Sequence, residues 1–304
     1  MPGPLLLLDV PWLLYRAHFA LPSSIAGADG EPIGALLGTV RTILLEVQEL
    51  DPVAVVCATG AEEAVHRTAL LPAYHAHREP MPDALRRRWE QAPDLLRAFG
   101  WSVRDGGDLE ADDVMATLAR RHVEEDPDAT AAIATADRDL LACVGERVVA
   151  RRPPAKGQGP GFVTVDVDGV RELLGVEPGQ VTDLIALRGD PSDGIPGAPG
   201  IGAKTAARLL AAHGDLEGVL RAAGAPGPDG EPGGAPVHGD GLTPRLAAVL
   251  REHAAEVRRD REVARLVEAD VEPVAPGTTD REGGAAAAEA LGMTRLAAEL
   301  RGEG

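Results

Sequence analysis

The chain opens on a continuous apolar run, Leu5–Leu8, closed by Asp9. A run this short and this uniformly apolar predicts a strand buried on both faces of a sheet. Trp12 to Ala20 then starts a helix or an ordered loop. From Gly34 to Leu50 apolar residues recur at helical spacing (Leu37, Val40, Leu44, Val47), which predicts an amphipathic helix that Pro52 ends. Val53–Cys57 reads as a second strand, Leu85 to Phe99 as a helix with a basic face, and Trp101–Val103 as a short strand. Ala111 to Val123 reads as a helix and Ala131–Thr135 as a further strand.

Strands alternating with helices predict an α/β fold with a mostly parallel central sheet flanked by helices. After about residue 181 the pattern changes to helices joined by Gly- and Pro-rich turns, including Leu246 to Leu266, which is strongly charged. Ala222 to Gly241 is dominated by Gly, Pro and Asp, and predicts a flexible loop. The expected division is an α/β domain over 1–180 and a helical region over 181–304, with the loop at 222–243.

Composition changes this picture little. The chain has 304 residues, 44% hydrophobic but only 3% aromatic, so its core is built from Leu, Val and Ala. A net charge of −18 argues at first against a nucleic-acid partner. Its distribution weakens that argument, because basic residues gather at Arg86–Arg88, at Arg151 and Arg152, and around Lys204 and Arg208. Cys57 and Cys143 both sit in apolar stretches and suggest no disulfide framework. Met1 to Leu8 lacks a positive n-region and is too short for a signal peptide or membrane span. A cytoplasmic protein without membrane attachment is expected.

The acids carry the chemistry. Asp9 follows the first strand directly, Asp137 and Asp139 follow the Ala131–Thr135 strand, and Glu110, Asp112 and Asp113 stand at a helix entry. In an open parallel sheet, sites form outside the carboxyl ends of the strands, so these acids are expected to converge on one edge. Carboxylates so close repel one another unless cations neutralise them. A set of Asp and Glu without His or Cys favours hard cations such as Mg²⁺ or Mn²⁺. The plainer alternative for Glu110–Asp113 is helix capping, since acids are stabilised at a helix N-terminus.

A further acidic pair, Asp190 and Asp193, lies in Arg188-Gly-Asp-Pro-Ser-Asp-Gly-Ile-Pro-Gly197, which alone would be an ordinary turn. It continues into Gly197-Ala-Pro-Gly-Ile-Gly-Ala-Lys-Thr-Ala206. This is no P-loop, because Ala203 rather than Gly precedes Lys204 and the upstream Val181–Leu187 reads as helix. A helix–hairpin–helix at 185–212 fits better. Gly200 and Gly202 let the backbone approach a phosphate, and the N–H groups opening the next helix, with Lys204 and Thr205, hold it without reading sequence.

Together Asp9 after a strand, Glu110-Ala-Asp-Asp-Val114, Thr135-Ala-Asp-Arg-Asp-Leu-Leu141 and Gly189–Ala206 closely resemble the 5′→3′ exonuclease domain of bacterial DNA polymerase I, in the flap endonuclease family. The match runs from residue 5 to about 220, and no polymerase domain follows, as in a free-standing form of the nuclease. The resemblance implies a PIN-like nuclease domain that hydrolyses DNA at a 5′ end, nick or flap, in replication or repair. It implies two divalent cations, one region served by Asp9, Glu110, Asp112 and Asp113 and the other by Asp137, Asp139, Asp190 and Asp193. It further implies a helical arch over about residues 67–99 that passes the 5′ strand, and a monovalent cation such as K⁺ at the hairpin. Arg67 and Tyr74 would then contact DNA, Tyr74 by stacking on a base, the alternative being a partly buried loop tyrosine. His75 and Arg78 would act at the scissile phosphate, and no protein partner would be obligatory.

Two departures stand out. The family places a metal-binding Asp just after the second strand. Here Thr59 falls at that position, or Ala58 if the gap falls differently. His75 replaces a Lys, and a neutral imidazole is its default form at pH 7. These changes support one alternative, a catalytically weakened protein of the same fold that binds DNA ends or flaps. A small-molecule phosphatase is disfavoured, since it requires a second Asp where Pro11 stands. A purely structural scaffold leaves eight acids at strand and helix ends unexplained.

Overall fold

The architecture is taken from a computed structural model that describes residues 3–154, 161–237, 239 and 241–303. Six strands form one sheet in the order β3-β2-β1-β4-β5-β6. They are β1 (Leu5–Asp9), β2 (Ala54–Thr59), β3 (Ser102–Asp105), β4 (Ala131–Ala134), β5 (Val148–Arg152) and β6 (Val163–Val165). All pairings are parallel except β5 with β6. The order reverses at β1, which has β2 on one side and β4 on the other, and a doubly wound sheet opens a crevice at such a switch point.

Side chains alternate across this sheet. Leu6, Leu8, Val55, Cys57, Ala132 and Ala134 face a core shared with α1 (Val10–Ala20) and α2 (Gly34–Leu50). After the short α3 (Val65–Leu70) comes α4 (Asp83–Ala98), which packs on the same side through Leu85, Ala92, Leu95 and Leu96. Leu5, Leu7, Val56 and Ile133 face α5 (Ala111–Glu125), on the other side. A third core joins Ala150 and Val165 to α6 (Val167–Leu174), α7 (Val181–Arg188), α8 (Ala203–His213), α9 (Leu216–Ala222), α10 (Pro244–Glu252) and α11 (Ala254–Ala264).

The last two helices, α12 (Arg281–Ala290) and α13 (Thr294–Arg301), do not join that helical region. Ala285, Ala288, Met293, Leu296, Ala297 and Leu300 pack into the core beside α2 and α4 instead. The chain reaches them along the α5 side, where Arg121 donates to the carbonyls of Ala269 and Val271. A division at residue 180 therefore misplaces the C-terminus. A second difference is that the predicted Leu246–Leu266 helix is two helices, broken at His253. Residues 223–237 carry no helix or strand and return to the end of α9, where the Val237 N–H donates to the Ala222 carbonyl; of the expected 222–243 loop, 238 and 240 lie outside the described residues. No helix among the described residues is long and apolar enough to cross a membrane.

Candidate active site

Asp9 ends β1 and caps α1 at once. Its Oδ1 accepts from the Trp12 N–H at 3.0 Å, and its Oδ2 accepts from the Thr135 hydroxyl at 3.0 Å. Thr135 lies just beyond β4, so this bond ties together the two strands that flank the switch point. The same hydroxyl oxygen accepts from the Asp137 N–H, and Asp137 Oδ1 accepts from the Asp139 N–H at 2.8 Å. Arg152 at the end of β5 donates to the carbonyls of Ala136 and Asp137, holding this loop from behind.

Across the crevice, the turn after α7 brings in Asp190 and Asp193. Carboxylate oxygens of Asp139, Asp190 and Asp193 all lie within 4.8 Å of one another. Glu110 and Asp112 arrive from the N-terminus of α5, where Glu110 is the cap residue. Asp112 is close enough to Asp9, Glu110, Asp137 and Asp139 for each to raise its proton affinity. Seven acids (Asp9, Glu110, Asp112, Asp137, Asp139, Asp190, Asp193) thus form one connected group.

Burial dominates the ionisation of Asp9, Asp112 and Asp139, with mutual repulsion added. Burial and the charge of Asp137 hold the Asp9 carboxyl at about 6, against the bonds from Trp12 and Thr135. Burial, then the neighbouring carboxylates, lift Asp112 and Asp139 well above the usual range. Asp193 goes the other way. Burial raises it, but the bond from His75 and the charges of His75 and Arg78 outweigh that and leave it below the ordinary value. An all-oxygen donor set, of which Asp139, Asp190 and Asp193 lie within one cation's reach, fits hard divalent ions.

Several predicted residues land elsewhere. Asp113 is fully buried and takes a bidentate ion pair from Arg67, at 2.8 Å to each oxygen, plus the N–H of Val267. Its oxygens hold α5 against residues 263–267, a structural role. Arg67, 3% exposed, also donates to Glu110 and to the carbonyls of Val263 and Arg265, which leaves nothing for DNA. Tyr74 is buried too, its hydroxyl donating to Glu110 at 3.0 Å and its ring stacked on His75, so no base stacks there.

Within the expected arch, α4 packs one face on the core. Arg88 points inward, donating to Asp29, Gln91 and the carbonyls of Pro32 and Glu31. Arg151 is buried against Glu46 of α2. Arg86, by contrast, is exposed. His75 Nε2 lies 3.0 Å from Asp193 Oδ1 and its Nδ1 3.2 Å from the Glu62 carbonyl. Arg78, half exposed, donates to the same Asp193 oxygen at 3.1 Å.

The hairpin stands at the rim. Gly202 caps α8 with an ordinary φ of −92°, and a Cβ there would meet nothing, so the fold itself does not require glycine. Lys204 is exposed and Thr205 half-buried beside it, and Gly200 sits in open space at φ +80°. Gly197 is different: a Cβ would lie 2.2 Å from the Gly189 nitrogen, and its N–H donates to the fully buried Asp260 of α11.

Sequence reasoning missed Thr135, Arg188 and Asp260, and marked Arg152 only as half of a basic pair. Arg188 pairs with Asp190 at 3.0 Å. Only Thr135 and Arg188 had a signal, each standing within two residues of a chosen acid. Asp260 and Arg152 are brought in by tertiary contacts alone.

Comparison with known proteins decides the family. Residues 4–175 match the model of the 5′-3′ exonuclease N-terminal resolvase-like domain, and residues 176–279 that of the 5′-3′ exonuclease C-terminal SAM fold. The chain belongs to the 5′-3′ exonuclease family. Among its relatives is a 5′-3′ exonuclease of Mycobacterium tuberculosis, 36% identical over 241 residues, covering 73% of this chain and 74% of that one. One from Streptomyces coelicolor is 38% identical over 230 residues, 71% of this chain and 74% of that one. The thermostable DNA polymerase I of Thermus thermophilus is 35% identical over 72% of this chain but only 25% of its own length. In fold, the chain is similar to T5 5′-exonuclease with bound zinc (TM-score 0.63, 18% identity, 99% and 97% covered). It is also similar to the catalytic core of Rad2 in complex with DNA substrate (TM-score 0.61, 16% identity, 98% and 91% covered).

Strand register separates the two positions considered at the end of β2. Asp9 pairs with Ala58, and Leu5, Leu7, Ala54, Val56 and Ala58 share one face of the sheet. Thr59 points to the other face, its hydroxyl donating to Asp105 Oδ2 at 2.8 Å. The residue beside Asp9 is therefore Ala58, and the expectation for Thr59 gives way to it.

Proposed function

We propose that the chain is a 5′-3′ exonuclease and structure-specific 5′ nuclease that hydrolyses phosphodiester bonds near the 5′ end of duplex or flapped DNA. The observation that carries this is the connected group of seven acids at the sheet's switch point, contiguous with a hairpin whose helix N-terminus stands open. Asp9, Glu110 and Asp112 are the candidates to hold one divalent cation, and Asp137, Asp139, Asp190 and Asp193 the other. Such ions, Mg²⁺ or Mn²⁺, would supply an activated water and neutralise charge developing on the phosphate.

The chain's own groups do the positioning. Thr135 and Trp12 fix both oxygens of Asp9, so its lone pairs point one way. Arg78, half exposed on the rim, is placed to meet a phosphate oxygen, and can do so once its contact with Asp193 is relaxed. The buried His75 holds Asp193 and orders the loop it belongs to, a positioning role. The Ala203 and Lys204 N–H groups at the start of α8, unpaired among the described residues, together with the Lys204 side chain, favour a phosphate of the duplex, and the glycines keep the approach open. Potassium at the hairpin belongs to the same proposal.

The test is cleavage of a 5′-labelled flap duplex with Mg²⁺ or Mn²⁺, beside Asp112→Asn. Metal-dependent release of short 5′ products, lost in the variant, is expected. Uncleaved flap that is nevertheless bound favours the second reading, a weakened end-binding protein, for which Ala58 beside Asp9 is the specific support.

A further inference from the structure

The core face of α1 is Val10, Leu13, Leu14 and Ala17, all buried. A surface helix normally carries polar residues on its other face. Here that face is Trp12, Tyr15, Arg16 and Phe19, spaced i, i+3, i+4, i+7. Aromatics are scarce in this chain, with three Trp, two Tyr and three Phe. Four of them meet the surface here: Phe19, exposed, stacks on Tyr15, and Trp89 of α4 meets Tyr15 edge-on, while Trp12, Tyr15 and Trp89 are half-buried against the core, where the buried Phe162 meets Trp12 edge-on. Phe19 is 71% exposed, and the Arg16 guanidinium lies 5.4 Å from the Trp12 ring centroid.

The helix carrying this stripe begins beside the carboxylate cluster, because the Trp12 backbone N–H is bonded to Asp9. Glu62 accepts from the Tyr15 hydroxyl at 3.1 Å, Arg78 and Arg86 both lie near enough to act electrostatically on the same phenol, and Arg16 is exposed. An aromatic row lined by guanidiniums matches a single strand, whose bases offer π faces and whose phosphates offer charge. Seven residues of helix span about 10 Å, near three base-stacking steps of about 3.4 Å.

We propose that the outer face of α1, completed by Trp89, is a stacking platform for the first two or three bases of the 5′ single strand leaving the carboxylate cluster, with Phe19 its outer end. This rests on the 5′-nuclease reading and specifies where that enzyme holds a flap.

The test is binding in Ca²⁺ to nicked duplexes bearing 5′ flaps of increasing length, with 2-aminopurine placed in the flap. Wild type should bind more tightly as the flap grows to about three nucleotides and quench the probe. Phe19→Ala should lose that gain, roughly fivefold to a hundredfold for each stacked base, while binding the flapless nick as wild type does. Phe19 is exposed, so unchanged thermal melting is the expected fold control, and Arg16→Gln should lower the salt dependence of flap binding. A flap gain that survives Phe19→Ala overturns the proposal, as does an equal loss on the flapless nick. A change only in self-association by sedimentation also overturns it, placing a protein contact on this face. Failure of the wild type to bind even the flapless nick would instead refute the nuclease reading itself.

Discussion

Arg67 offers the sharpest separation between a structural and a DNA-binding role. Its guanidinium makes two bonds to Asp113, one to Glu110, and two to the carbonyls of Val263 and Arg265. Arg67→Met keeps much of the volume and removes all five. Asp113, fully buried, would be left with only the N–H groups of Val267 and Glu110. Removing one partner of a buried ion pair costs about 3–5 kcal/mol, because the other charge stays desolvated. With a urea m-value near the upper end of the usual range, about 3 kcal/mol/M, the midpoint should fall by roughly 1–1.7 M. Asp113→Asn combined with Arg67→Met should recover part of the loss, giving a coupling of about 1–3 kcal/mol. The assay is urea unfolding followed by tryptophan fluorescence, with flap binding in Ca²⁺ measured where both proteins are folded. A variant as stable as wild type that binds flap DNA poorly would falsify the structural assignment and return Arg67 to the DNA interface.

Three other outcomes follow from the geometry. Burial holds Asp9 at about 6 when folded, above its ordinary 3.8, so its contribution to stability is full below about pH 4 and is lost as pH rises through 6. Metal-free wild type should therefore lose stability relative to Asp9→Asn across that window, on the order of 3 kcal/mol in all, and Mg²⁺ should restore more at pH 7.5 than at pH 5; a flat difference in melting temperature would contradict this. Ala58→Asp should tighten Mn²⁺ binding in calorimetry, whereas Thr59→Asp should not, since it faces Asp105 across the β2–β3 pair; equal effects would reverse the register argument. Gly197→Ala should destabilise by at least about 2 kcal/mol, since its φ is +66° and the added carbon meets the Gly189 backbone, while Gly202→Ala should melt like wild type and bind duplex less well.

The α/β class, the strand and helix positions around the acids and the helix–hairpin–helix were legible because each depends on local pattern. A short apolar run closed by Asp, or a glycine-rich turn between two helices, constrains its own backbone whatever surrounds it. The convergence of acids at strand ends was legible for the same reason, since a parallel sheet puts those ends on one edge.

Which way a side chain turns was not legible. Asp112 and Asp113 are neighbours at a helix start, and helical geometry separates them by about 100°; only the packing of α3 and the 263–267 segment makes one a site acid and the other an ion-pair partner. Arg67, Tyr74 and Arg88 carry the chemistry of DNA contacts, yet tertiary packing buries each, and a buried polar group must find its partners inside the protein. The choice between Ala58 and Thr59 required strand register, which a one-residue slip inverts. The return of α12 and α13 to the first core depends on an apolar face at α2 and α4 that the far end of the chain covers. Local sequence thus determined the elements and the edge on which chemistry gathers, while long-range burial decided which charged groups remain free to perform it.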